Sequence, residues 1–498
     1  MRAQPARHQR RSRKGIAMLA ALLLGGSGIA VVTANAMAGQ GSQGDDRDGT
    51  VGRTATVQTI DCPDVALAME EVPQQAEEEV ARSSAELDRR VTEAFWQLNR
   101  GESARTVVPR LEQQRQTLID RIRVLLDRLE AQQPAGLDSM DECEVREVEG
   151  TPVDDGQNGD DGQDGQEQGG DGQDGQDGDG QEQDGGGQDG QDGDGEEQAT
   201  GPVAEDFVDI TTVEPNVQEP QEQEGASTGT FTSECGVNEE EHFNTDNVIV
   251  APGQLNGAQH THDHVGNLET DFDSDNDVLA QGETTCTNGD QSTYYWPVLR
   301  ALDGQEDNRG TPDGFGNQGN VGTILQAKEV DITFEGSPVG DVVAMPRFLQ
   351  IITGDAKAFT NGPENANASW SCTGFEDRQL TDKYPICPEG SDITRTFRFQ
   401  SCWDGENIDS ANSRDHMAFA EEDGSCPDGF VAVPQLVQKL TYEVPEGENI
   451  PEETPFAVDG FAEQLKKPVT DHSDFINVMP EELMEEAVDC INSGQDCS

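Results

Sequence analysis

Gln259-His260-Thr261-His262-Asp263-His264-Val265-Gly266-Asn267 carries three of the 7 histidines in a chain of 498 residues. Read as an extended strand, it sends His260, His262 and His264 to one face and Thr261, Asp263 and Val265 to the other. That reading makes the surrounding part of the chain a sheet with imidazoles gathered on one side. His416 and His472 lie far downstream, in the polar segments Arg414-Asp415-His416-Met417 and Thr470-Asp471-His472-Ser473-Asp474.

Working outward, short β-rich runs recur with glycine, proline and asparagine turns between them. They are Tyr294 to Leu299, Val330 to Phe334, Val342 to Met345, Phe348 to Ile352, Thr394 to Phe399 and Leu436 to Tyr442. Only Pro480 to Cys490 reads as a helix there, with Pro480 at its start and Leu483, Ala487 and Val488 on one side. The expectation for residues 228–498 is a mainly antiparallel, sandwich-like β domain with long loops.

Upstream, two stripes have helical spacing: Leu87, Val91, Ala94 and Leu98, then Leu111, Leu118, Ile122, Leu125 and Leu129, with Arg115 interrupting the second. Asn99 to Ser103 breaks the pattern, so residues 59–147 are expected to form an antiparallel helical hairpin. Such a hairpin returns the chain to its origin and brings Cys62 within reach of Cys143. A spacer or packing role is expected of it, since it contains no histidine.

Between these parts, residues 148–227 are mostly Gly, Asp, Gln and Glu, with Asp-Gly-Gln repeated irregularly. Burial cannot offset the ordering entropy of such a segment, which predicts a disordered acidic linker. A calcium-binding glycine-aspartate roll would need a regularly placed apolar residue, which is absent, since almost nothing apolar occurs before Val203.

Residues 1–36 read as a signal peptide. Arg2, Arg7, Arg10, Arg11, Arg13 and Lys14 precede an apolar run from Ile16 to Val32, and Ala34-Asn35-Ala36 or Ala36-Met37-Ala38 offers a cleavage site. An uncleaved anchor is the rival, against which stand the shortness and glycines of the run. Export agrees with 10 cysteines and no Cys-x-x-Cys pair, a pattern that predicts disulfides, with Cys490–Cys497 a natural short-range bridge. The expected location is therefore extracellular or at the cell surface, with no membrane span after cleavage. A formal charge of -67 excludes nucleic-acid binding through phosphates. Acid without lysine between Lys14 and Lys328 is also what a saline habitat would favour.

For chemistry, a His-x-His pair on a strand can share one metal ion, with the remaining ligands coming from elsewhere. His260, His262, His416 and His472 form the expected set for a divalent transition metal; hydrogen-bonded structural histidines are the alternative. Asp404, Asp474 and His416 are candidate acid, base or orienting groups. Trp403 and Trp296 could stack on sugar rings, with the core as their alternative place. Asp271, Asp273, Asp275 and Asp277 resemble a calcium loop but lack its glycine and terminal glutamate, so a solvated acidic loop is expected. No Gly-x-Ser-x-Gly elbow or His-Glu-x-x-His helix occurs.

Several ordered segments carry a resemblance. They are Asn247 to Gly253, His260-Thr261-His262, Tyr295-Trp296-Pro297, Ile352 to Asp355, Ser401 to Gly405, Asp409-Ser410, His416 to Phe419, Pro434-Gln435-Leu436 and His472 to Phe475. From about Cys235 to Cys497 the chain resembles the secreted bacterial and fungal family called domain of unknown function nineteen-ninety-six, and its hairpin resembles the N-terminal module of actinobacterial members. The resemblance implies that His260, His262, His416 and His472 match the family's histidine motifs. His264 stands where members often carry an apolar residue, and Ser413 where many carry a further histidine. It assigns no activity. Some fungal relatives carry a carbohydrate-binding wall module, which points to extracellular or cell-wall polysaccharide as the partner. The alternative expectation is a non-catalytic surface protein.

Overall fold

The computed structural model describes residues 55–69, 72–73, 75–150, 201–218, 220–311 and 319–498. The expected signal peptide and most of the expected linker lie outside these residues.

The helical stripes fold as their spacing requires. Helix α1 spans Glu77–Asn99 and α2 spans Ala104–Arg128. Leu87, Val91, Phe95 and Leu98 are buried, as are Leu111, Leu118 and Ile122. Arg115, which breaks the apolar stripe, is buried as well, and its guanidinium donates to the carbonyls of Pro63 and Met140, each at 2.7 Å. Outside the helices, strands Ala55–Asp61 and Glu144–Gly150 pair antiparallel, and Cys62 bonds to Cys143 beside them.

The C-terminal part is mainly β. One sheet of six strands runs in the order Ser369–Cys372, Ile393–Arg398, Gln435–Tyr442, Glu329–Glu335, Thr230–Thr232 and Asp496–Cys497. A second, wholly antiparallel sheet of five runs Gln350–Gly354, His472–Ile476, Thr293–Pro297, His262–Gly266 and Phe243–Asn244. Inward residues of both sheets share one core, in which Val265, Tyr294, Trp296 and Phe475 of the second meet Ile332, Trp370, Phe397 and Leu440 of the first. Helix Glu481–Asn492 forms where Pro480 predicts it. Five disulfides join Cys62–Cys143, Cys235–Cys286, Cys372–Cys387, Cys402–Cys426 and Cys490–Cys497. Among the described residues no helix is long and apolar enough to cross a membrane.

Three expectations need correction. Val342 to Met345 is not a strand. The side-chain amide of Asn492 accepts from Val342 N and donates to Val342 O, both at 2.9 Å, taking the place of a ladder partner. Residues 201–218, assigned by composition to the linker, are folded: Phe207–Asp209 pairs parallel with Tyr384–Ile386, and the Phe207 ring packs on Tyr384 and Phe456. At the other end, Glu144–Gly150 carries the hairpin's strand through positions 148 to 150.

The hairpin is also no mere spacer. It belongs to the same compact unit as the β-rich part. Val57, Phe95 and Trp96 share a cluster with Ala462 and Leu465, and Lys357 Nζ sits between Asp64 (2.8 Å) and Asp88 (2.7 Å).

Candidate functional site

The site lies on the outer face of the five-stranded sheet. Alternation puts His262 and His264 on that face, and His472 and Asp474 on it two strands away, with Tyr295 paired to both His264 and Asp474. His260 precedes the strand. Gln259 before it has φ +60, a left-handed turn that reorients the chain. His260 therefore enters the cluster just outside the strand, directly after this turn.

His260, His262 and His472 each offer one nitrogen within 4.8 Å of the others. His260 Nε2 lies 3.3 Å from His472 Nε2. Two nitrogens bound tetrahedrally to one zinc at its usual bond length stand about 3.3 Å apart. The tautomers are set from behind. His472 Nδ1 donates to the Thr470 carbonyl at 3.0 Å and His262 Nδ1 to the Asp246 carbonyl at 2.9 Å. A carbonyl only accepts, so each Nε2 keeps its lone pair for the cluster; His262 Nε2 has no hydrogen-bond partner. Burial pushes His262 down to about 4 and His472 to about 3, and takes His260 well below the usual range, aided by its neighbouring imidazoles. All three are neutral at pH 7, the ligating form.

Two buried ion pairs hold these histidines. Arg395 grips Asp471 through Nη2 (2.6 Å) and Nε (3.1 Å), and His472 N donates to Asp471 Oδ1 at 3.0 Å. Arg300 grips Asp459 through Nε (2.7 Å) and Nη2 (3.1 Å). Asp459 accepts from the N–H of Thr261, the residue between His260 and His262, and Arg300 Nη2 reaches its hydroxyl at 3.3 Å.

A cavity of about 360 Å³ opens beside His260 and His472. Its walls come from both parts of the chain: Asp64, Ser84 and Asp88 from the hairpin, Asp474, Asp409 and Arg414 from the β-rich part. Asp474 is fully buried, and no hydrogen bond of ordinary geometry reaches either oxygen. Desolvation pushes it up to about 8, against the pull of Arg414 and Asn247. Asp409 is pushed up to about 6, again by burial first.

The other expected residues lie elsewhere. His416 uses both nitrogens, Nε2 with the Gln350 carbonyl (2.7 Å) and Nδ1 with Ser410 Oγ (3.0 Å), and stands outside the triad. It anchors the Asp409–Arg414 loop to the sheet. Asp404 caps a tight turn, accepting from Glu406 N and Asn407 N at 2.8 Å each. Trp403 donates to the Asn407 carbonyl and packs partly on the core, away from the cavity. Trp296 has no exposed surface and donates to the Tyr442 hydroxyl at 3.1 Å, so no ligand can stack on it. His264 stacks on His242 at 4.7 Å and pairs with Asn244. In the acidic ladder, Asp275 caps a short helix by accepting from Asp277 N and Val278 N.

Lys357, Arg414 and Asp409 were missed by sequence reasoning, as was the hairpin's contribution to the cavity. Asp409 stands in the Asp409-Ser410 motif, but nothing local to it signals a cavity.

The site thus defines a mainly β protein with a three-histidine cluster beside a roofed cavity. Residues 247–478 match the family model described as Domain of unknown function (DUF1996), a stretch that includes every member of the cluster. No curated protein and no solved structure matches the chain.

Proposed function

We propose that this chain is an exported protein that holds a divalent transition metal at His260, His262 and His472, and uses the adjoining cavity to bind or process an extracellular or cell-wall polysaccharide. One observation carries the metal: three buried, neutral imidazoles converge, two of them with tautomers fixed so that Nε2 is free to ligate. Imidazole nitrogen suits zinc, copper or nickel rather than calcium or magnesium. Three protein ligands would leave a coordination position open, the pattern of metal sites that take up an exogenous ligand, and two of the three, His260 and His472, line the cavity. The alternative, a non-catalytic surface protein, fits scattered histidines better than a cluster. Elemental analysis of the wild type and of His262→Ala tests the reading. About one equivalent in the wild type and a large loss in the variant is expected. Wild-type protein that stays metal-free after incubation with zinc and copper would sink it.

A further inference from the structure

We infer that the cavity selects a neutral polyol, with one hydroxyl oxygen on the metal's open side and the neighbouring hydroxyl donating to Asp474. This rests on the metal reading above and adds a ligand class and a recognition residue to it.

Asp474 follows His472 by two residues on one strand, so the two share a face, about 6.6 Å apart along the chain. Its oxygens are not among the atoms gathered within 4.8 Å of one another, so it is not a fourth ligand of the same ion. Yet it is fully buried, lines the cavity beside His260 and His472, and has neither oxygen satisfied. A buried carboxyl in that condition is costly unless a donor completes it. A donor held on the metal's cavity side fills that role, and coordination polarises a hydroxyl and its neighbours.

Two further observations narrow the class. Ser84 Oγ, on the hairpin wall, is also buried and unpartnered and lines the same cavity, which offers a second hydroxyl partner across the ligand. The lining carries six acidic side chains (Asp64, Glu77, Asp88, Asp355, Asp409 and Asp474) against only Lys357 and Arg414. Lys357 is already held by Asp64 and Asp88. Even with a divalent ion bound and Asp474 neutral, the other five acids outnumber the charges of Lys357, Arg414 and the ion, which disfavours an anionic ligand such as a uronate or phosphate ester, while a neutral polyol supplies donors to carboxylates at no charge penalty.

Cobalt-loaded full-length protein tests this, because visible absorption reports changes at the metal. The probes are glucose, mannose, galactose and glucuronate. At least one neutral sugar should shift the spectrum saturably, and glucuronate should be the weakest of the four. Asp474→Leu, which removes the acceptor, should keep the cobalt stoichiometry and weaken the sugar response about tenfold, the loss of one hydrogen bond from the ligand to a buried neutral carboxyl. Unchanged titration in that variant, glucuronate as the tightest probe, or no shift with any neutral sugar overturns the inference while leaving the metal reading standing. Failure of wild type to take up cobalt overturns both. If Asp474→Leu does not fold, Ser84→Ala probes the opposite wall: a weaker sugar response at full cobalt loading is expected, and an unchanged one overturns the placement.

Discussion

Lys357 Nζ lies 2.7 Å from Asp88 Oδ1, and this contact ties a loop of the β-rich part to the first helix of the hairpin. Asp64 completes the clamp from the turn before that helix. Desolvation opposes the Lys357 charge, but the two carboxylates outweigh it and hold the ammonium protonated far above its ordinary range. The clamp lies against the site itself, since Lys357 faces the Phe461 ring at 5.5 Å and that ring meets His260 edge-on at 5.4 Å.

Lys357→Met leaves two part-buried carboxylates without the ammonium that pairs them. Because all three side chains keep some solvent contact, the loss should fall short of the roughly 3–5 kcal/mol typical of a fully buried pair. Denaturant unfolding should show that loss, and restoring neutrality with Asp64→Asn and Asp88→Asn in the same chain should recover much of it. A single variant as stable as wild type would show that the hairpin is held by its apolar contacts alone.

Glu463 gives the hairpin contact a pH dependence. Its carboxylate accepts from Thr92 of α1 at 3.0 Å, and burial pushes its pKa from 4.5 up to about 7. The folded chain then binds more protons than the unfolded chain between those values. Stability from this group is therefore greatest at low pH and is lost as pH rises from about 4.5 to 7, by roughly 3 kcal/mol. The buried histidines act oppositely, because their depressed values withdraw stability as pH falls below 6.5. Glu463→Gln separates the two: relative to wild type it should gain stability progressively above pH 5 and level off above pH 7. A difference between variant and wild type that stays constant from pH 5 to 8 would refute the assignment.

Composition still makes 151–200 the expected point of proteolytic cutting, with almost no apolar residue there to protect it. The docked hairpin changes the outcome. The two fragments should co-elute on size exclusion after the cut and separate only when the Lys357 clamp is removed. Free hairpin released from wild type at neutral pH would contradict the shared cluster of Val57, Phe95 and Trp96 with Leu465.

Much of this architecture was legible because its signals are local. Period and breakers give α1, α2 and the strands at Glu329–Glu335, Ile393–Arg398 and Gln435–Tyr442, and hairpin geometry gives Cys62–Cys143. What failed depends on partners distant in sequence. Val342 looks like strand until Asn492 supplies its hydrogen bonds. Phe207 sits in an acidic window and is buried only because Tyr384 and Phe456 meet it. His416 carries a motif as clear as that of His472, yet the Gln350 carbonyl and Ser410 claim its two nitrogens. Residue type and spacing name potential ligands; only the fold decides which nitrogens are left free.

Two buried arginine–aspartate pairs touch no ligand yet hold the histidines in place. Arg395–Asp471 fixes the backbone entering His472, and Arg300–Asp459 fixes Thr261 between His260 and His262. Both pairs are essentially without exposed surface. Arg395→Met should strand Asp471 and cost about 3–5 kcal/mol, and Arg300→Met should do the same through Asp459. Loss of the groups that orient metal-binding histidines typically costs about ten- to a hundredfold in affinity. Zinc titration of each folded variant against a competing chelator should show a loss of that size, with the stoichiometry unchanged. Lys328→Met removes a surface pair with Asp392 and should change neither quantity measurably. If Arg395→Met and Arg300→Met are destabilised as expected yet bind zinc as tightly as wild type, the pairs serve the core alone, and the histidine geometry is set by the Thr470 and Asp246 carbonyls.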